Sequence, residues 1–202
     1  MHSLLKLLGF LIRSELHKRF PKRIAQPSFE TINSVRCSSG RPFEIEQVEV
    51  EGRTLRCWKN AAPSMAALVE NSLDYADADF IVYGDERLSY REHHRRVAAV
   101  AHQLIDRFGI TKGDRVAIAM RNYPEWAVAF WAAAAAGAVV VPLNAWWTSD
   151  ELEYGLTDSS ARLVFVDEER LERLQKIESG LPLQHIVAVR CATVPAHVAA
   201  ID

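Results

Sequence analysis

The sequence predicts an α/β fold: an N-terminal hairpin followed by a doubly wound, mainly parallel sheet with helices on both faces. Three observations carry this reading. Short, largely apolar runs at 115–120, 139–141, 162–166 and 184–189 have the length of buried strands. Segments of helical period, with their own start and stop signals, lie between them. Strand and helix then alternate from residue 115 onward, which requires parallel strands joined by crossover helices. The 202 residues can bury one full core.

The elements follow in order. Glu44 to Val50 alternates polar and apolar residues, the period of a half-buried strand. Met65, Leu68, Val69 and Leu73 stand at helical spacing within 63–76. Phe80-Ile81-Val82-Tyr83, a turn at Gly84-Asp85-Glu86, and Arg87-Leu88-Ser89-Tyr90 read as a hairpin. Ser89-x-x-Glu92 is a capping-box pattern. The helix it opens presents Val97, Ala101, Leu104, Ile105 and Phe108 on one face and stops at Gly109. His93 and His94, being adjacent, do not share a face as metal ligands at i and i+4 do, and are expected as solvated residues of that helix. Lys112-Gly113-Asp114 turns the chain into the strand 115–120. Pro124 and Glu125 suit the first turn of the next helix, which is Ala-rich and ends at Gly137. Val139–Val141 is the next strand, and Thr148-x-x-Glu151 a second capping box. A strand at 162–166, a charged helix over Asp167–Lys176 and a last strand at 184–189 complete the series.

Composition sets the outer limits. The chain is 49% hydrophobic and 25% charged, with a net charge of -2, as in an ordinary soluble globular protein. That excludes collagen, a disulfide knot and a mostly disordered chain. Near-neutral charge argues against nucleic-acid binding through a broad basic surface. Cys37, Cys57 and Cys191 are far apart and contain no C-x-x-C pair, so neither a zinc site nor a disulfide framework is expected. The apolar stretch from Trp126 to Leu143 is Ala-rich and broken by Gly137, which disfavours a membrane span.

The average hides an asymmetry. Residues 1–40 form a basic leader with seven Lys or Arg and two acids, whereas 41–202 are acidic overall. Leu4, Leu5, Leu8, Leu11 and Ile12 lie on one side of a helical wheel, with Lys6, Arg13 and His17 on the other. The leader fits three readings: a mitochondrial-type presequence, a membrane-surface helix over residues 3–17, or a disordered extension. The first two give a mitochondrial or membrane-peripheral location and the third a cytoplasmic one. The expected division is therefore a leader, 1–40, and one α/β domain, 41–202.

No catalytic motif is present. No two of the nine glycines are closer than four residues, so neither G-x-G-x-x-G nor a P-loop exists; G-x-S-x-G and H-E-x-x-H are also missing. The order of segments, however, resembles a known family. Leu88-Ser89-Tyr90-Arg91-Glu92 resembles the first core motif of the acyl-adenylate-forming (AMP-binding) superfamily. The segments Gly113–Ile118, Asn122-Tyr123-Pro124-Glu125-Trp126 and Ala136–Asn144 are similar to its second, and Asp158-Ser159 with Arg162–Val166 continue the pattern in register. Pro142-Leu143-Asn144 followed by Thr148-x-x-Glu151 resembles acyl-CoA synthetases of the fatty-acid–CoA ligase type.

The resemblance implies a two-step reaction using ATP, Mg2+ and CoA. A fatty or related carboxylic acid attacks the α-phosphorus of ATP, and CoA then displaces AMP to give a thioester. It also implies what this sequence lacks: the Thr/Ser/Gly-rich phosphate loop, the later ribose-binding Asp and the catalytic Lys. The chain is therefore expected to be the N-terminal part of an incomplete large domain, inactive alone and completed by a missing C-terminal portion. It contributes no catalytic or metal-binding residue. The candidates for contact with the CoA phosphate are Arg170 and Arg173, three apart after the strand at 162–166, since Arg presents a planar donor fork. The competing reading pairs them with Glu168, Glu169 and Glu172 on a solvated helix. Trp146 and Trp147 are expected to cover an acyl or CoA channel or to pack on the sheet edge, and Asn144 to fix its loop. The rival function classes are a non-catalytic α/β interaction module and a truncated gene product with uncovered apolar surface.

Overall fold

The computed structural model describes residues 28–201, in two compact units divided between Ala61 and Ala62. The amphipathic pattern at 3–17 lies outside the described residues. In the first unit, helix α1 (Phe29–Arg36) starts at Ser28, whose hydroxyl accepts from Thr31 N at 3.2 Å. Strands β1 (Ile45–Val50) and β2 (Arg53–Trp58) pair antiparallel around Glu51 and Gly52, at φ +49° and +74°. Two successive positive φ values make the two-residue turn that matches strand twist. The pattern at 44–50 anticipated β1, whereas β2, reading Arg-Thr-Leu-Arg-Cys-Trp, alternates over only Thr54 to Cys57, too short a run to mark a strand by itself.

The second unit begins with α2 (Met65–Asn71), capped by Ser64, and the expected hairpin of β3 (Asp79–Tyr83) and β4 (Glu86–Ser89). Helix α3 (Tyr90–His102) starts at Ser89, which accepts from Glu92 N at 3.2 Å. The reciprocal half of the box does not form. The Glu92 carboxylate turns instead to Arg95 and Arg96 at 2.8–2.9 Å, bonds that hold it down to about 2. Charge-assisted bonds outcompete one backbone N–H here.

The remaining elements alternate as expected: β5 (Arg115–Ala119), α4 (Pro124–Ala135), β6 (Val139–Pro142), α5 (Ser149–Ser159), β7 (Leu163–Asp167), α6 (Glu168–Leu174), β8 (His185–Val189) and β9 (Ala199–Ile201). The five strands form one parallel sheet in the order β6-β5-β7-β8-β9. Alternate residues of the buried strands serve opposite faces. Val116, Ile118, Leu163 and Phe165 pack under α3 and α4 with Val97, Leu104, Val128 and Ala132. Ala117, Ala119, Val164 and Val166 pack under α5 and α6 with Leu152, Leu156, Leu171 and Leu174. Helices on both faces close a doubly wound fold. The order reverses between β5 and β7, which makes the carboxyl ends of those strands a topological switch point.

Two expectations for α3 are corrected. His93 is not solvated but 2% exposed, one turn before Val97 on the buried face, with its ring 4.3 Å from that of Phe80. Ile105 is 47% exposed rather than packed. Gln103–Arg107 widens into a π turn, which rotates Ile105 outward while Leu104 and Phe108 stay buried.

Neither ring nitrogen of His93 has a hydrogen-bond partner of good geometry. Burial pushes its imidazole down to about 4 from 6.5, against a small opposing pull from the nearby Ala127 backbone. The unfolded chain therefore takes up the proton first as the pH falls. Stability should be full above pH 6.5 and should decline by up to about 3 kcal/mol on acidification toward pH 4. Denaturant titrations across that range should lose this slope in His93→Phe, which also removes two unpartnered polar atoms. An unchanged slope would contradict the burial argument.

Candidate functional site

Ligands of open α/β sheets bind outside the carboxyl ends of the strands at the switch point. Here that region is built around Asp167, the last residue of β7 and 3% exposed. It caps α6 by accepting from Arg170 N at 3.2 Å. Its other oxygen accepts from Arg121 N, just past β5, at 2.9 Å. Both oxygens receive Arg170 Nη1 at 3.2 Å.

The first candidate, Arg170, is therefore enclosed. It is 1% exposed; Nε donates to Ala145 O at 2.5 Å and Nη1 also to Glu169 at 2.9 Å. Among the described residues its Nη2 has no partner. Arg173 donates Nη1 to Trp147 O at 2.6 Å and pairs through Nη2 with Glu169. The two arginines do share one side of α6, as their spacing implied. That side faces the loop after β6 rather than open solvent, and only Glu169 of the three neighbouring acids pairs with them.

The loop from Leu143 to Thr148 is thus stitched to α6. Asn144 fixes it from within, its Oδ1 accepting from Trp146 N at 2.9 Å. Trp147 is half-buried against the α5–α6 side of the core. Trp146 stays 66% exposed, with the Arg121 guanidinium 4.1 Å from its ring centroid. This stacked pair borders a cleft of about 640 Å³, whose other walls include Tyr83, Tyr123, Trp126 and Asn144. Among the described residues no carboxylate pairs with the Arg121 side chain, so its N–H edges remain available to an anion.

At this edge the described residues present no ready set of protein ligands for Mg-ATP. Among the described residues no group of three or more His, Cys, Asp or Glu could hold a metal. Asp167, the buried carboxylate at this edge, is committed to Arg170 and Arg121. The chain also lacks a glycine-rich phosphate loop. What this edge offers is a cation stacked on an aromatic ring, in a cleft with aromatic walls. Nothing in the sequence pointed to Arg121; Asp167 could have been found from Asp-x-x-Arg at the end of a buried strand.

The sequence profile of the family described as AMP-binding enzyme matches residues 68–200. The chain belongs to the AMP-binding enzyme family. Over 128 residues it is 33% identical to a long-chain-fatty-acid–CoA ligase of Salmonella typhimurium, covering 63% of this chain and 23% of that protein. A 4-hydroxybenzoate–CoA/benzoate–CoA ligase of Rhodopseudomonas palustris is 37% identical over 109 residues, covering 54% and 20%. The chain thus spans about a quarter or less of the length of these relatives. The crystal structure of coronafacic acid ligase from Pectobacterium brasiliense shares the fold with TM-score 0.62 and 21% identity, over 68% of this chain and 28% of that one. No helix among the described residues of this family member is long and apolar enough to cross a membrane.

Gly155 of α5 seats the cleft's loop. A Cβ there would meet Trp147 Cζ3 at 2.7 Å and Leu143 Cδ2 at 3.3 Å. Gly155→Ala should therefore destabilise the chain by about 1–3 kcal/mol in denaturant titration and shift tryptophan fluorescence. Stabilisation by the ~1 kcal/mol that alanine normally adds to a helix would mean that Trp147 does not sit there.

Proposed function

We propose that this chain is the amino-terminal sheet of an ATP-dependent acid–thiol ligase that joins a fatty or aromatic carboxylic acid to CoA. In the first step a carboxylate oxygen attacks the α-phosphorus of ATP, giving acyl-AMP and releasing pyrophosphate. In the second the CoA thiolate attacks the acyl carbon and AMP leaves. Family membership supports the reaction class. The two relatives named above, one a fatty-acid and one a benzoate ligase, support the substrate class.

The observation that carries the local assignment is the Arg121–Trp146 pair at the mouth of the cleft. Phosphate matches the free guanidinium edge and a purine matches the exposed indole face. The proposal therefore places the CoA nucleotide at this edge. Arg170 and Arg173 serve it by holding the loop that carries Trp146, not by reaching the phosphate themselves. The described residues hold no cluster of three or more metal-ligating side chains; in this reading their part is to bind and orient. Both cosubstrates are soluble metabolites, consistent with a cytoplasmic enzyme.

Titration of the 202-residue chain with CoA, followed by tryptophan fluorescence, tests this. Saturable quenching is expected, weakened about tenfold in Arg121→Met, the loss of one charge-assisted phosphate contact worth ~1.4 kcal/mol. ATP–pyrophosphate exchange with fatty or aromatic acids should be absent. Failure to bind CoA would overturn the assignment of the cleft, and exchange by this chain would overturn its division of labour.

A further inference from the structure

One cation behind the cleft is left unexplained by ligand binding. Arg190 follows the buried strand β8 directly and sits at φ +53°, a conformation that side-chain-bearing residues seldom adopt. Its guanidinium does not line the cleft. It donates Nη2 to Glu86 at 2.7 Å, at the start of β4, and Nε to both oxygens of Glu125 at 3.0 Å, in the first turn of α4. Its faces lie 5.5 Å from the ring of Tyr83 and 5.1 Å from that of Tyr123. Those rings meet edge to face at 5.9 Å, and both line the cleft.

The β3–β4 hairpin is a sheet of its own and shares no strand pairing with the five-stranded sheet. Among the described residues, the ion pair that ties the hairpin to the sheet's carboxyl edge is the one from Arg190 to Glu86. We propose that Arg190 is a positioning residue: it pins the hairpin against the start of α4 and so holds Tyr83 and Tyr123 as the cleft's aromatic wall. Two carboxylates and two aromatic rings around one planar donor fork suit arginine and not lysine. Without the cation, Glu86 and Glu125 would face each other as like charges, and the hairpin would be pushed off. The same contact keeps the Glu86 carboxyl below its usual range.

The assignment of CoA to the cleft matters only for the ligand arm of the test. Hydrogen exchange and aromatic NMR on the whole chain form the other arm. In Arg190→Met the amides of residues 80–88 should exchange about tenfold faster, while amides of β5 and β7 keep their rates. The Tyr83–Tyr123 cross-peak should be lost, and the Kd for CoA should rise about fivefold to tenfold. Arg190→Lys should restore part of each effect, and Glu86→Gln added to Arg190→Met should slow hairpin exchange again by relieving the repulsion. Should Arg190→Met fail to fold, Glu86→Gln alone carries the same readouts with a severalfold effect. Hairpin amides at wild-type rates overturn the proposal, as does acceleration of all amides together, the mark of a merely structural residue. If the wild-type chain does not bind CoA, the proposed function falls. The cross-peak and the exchange rates still decide the role of Arg190.

Discussion

The organisation of the carboxyl edge depends on one buried ion pair, Asp167 with Arg170. Burying both charges costs several kcal/mol per ion after relaxation. The cost is offset only because nearly every polar atom of the pair has a second task. Asp167 caps α6 and receives the backbone N–H that follows β5; Arg170 holds the carbonyl of Ala145 in the loop after β6. A single contact thereby sets three chain segments relative to one another at the switch point of the sheet. An apolar pair of equal volume could fill the space, but it would carry no instruction about where the loop after β6 should lie. The one unpartnered atom, Arg170 Nη2, is the residual cost of this arrangement.

From that anchor the cleft follows. With Ala145 and Trp147 tied to α6, Trp147 turns inward against Gly155 and Trp146 is left outside. Arg121, whose backbone is held by Asp167, then stacks on the exposed indole. The site is thus a consequence of rigid scaffolding: Tyr83 ends β3, Arg121 lies two residues past β5, Tyr123 and Trp126 open α4, and Trp146 sits in the tied loop after β6. The family match over residues 68–200 spans strands β5 to β8 and the residues of the cleft, and coronafacic acid ligase shares the fold.

Much of the fold was legible in the sequence because burial leaves a period. The strands β5, β7 and β8 are apolar on both faces, and the capping box at Thr148 forms as written. The segments carrying the family resemblance are those that form the sheet and its crossovers. Short elements escaped: half of β2 is polar and its side chains are mostly exposed, and β9 is only Ala-Ala-Ile. The spacing of His93 to Val97 puts it on the buried face, whereas the polarity of an imidazole points to solvent; in the structure position outweighs residue type. The candidate site was legible only in outline. Trp146 and Asn144 stood out from the sequence. Arg121 did not, since a lone arginine after a strand has no pattern. Arg170 looked like part of a solvated charged helix because burial of a paired charge depends on partners in other segments, here Ala145, that spacing alone does not reveal.

The central claim is that Asp167 and Arg170 act as a coupled unit. A double-mutant cycle of Asp167→Asn and Arg170→Met, read by denaturant unfolding of the whole chain, tests it most directly. Each single change should cost about 3–5 kcal/mol by stranding its partner. The double variant should recover much of that, giving a coupling energy of about 2 kcal/mol or more. Additive losses, with a coupling below ~0.5 kcal/mol, would mean that the two side chains contribute separately and that the edge is organised by something else.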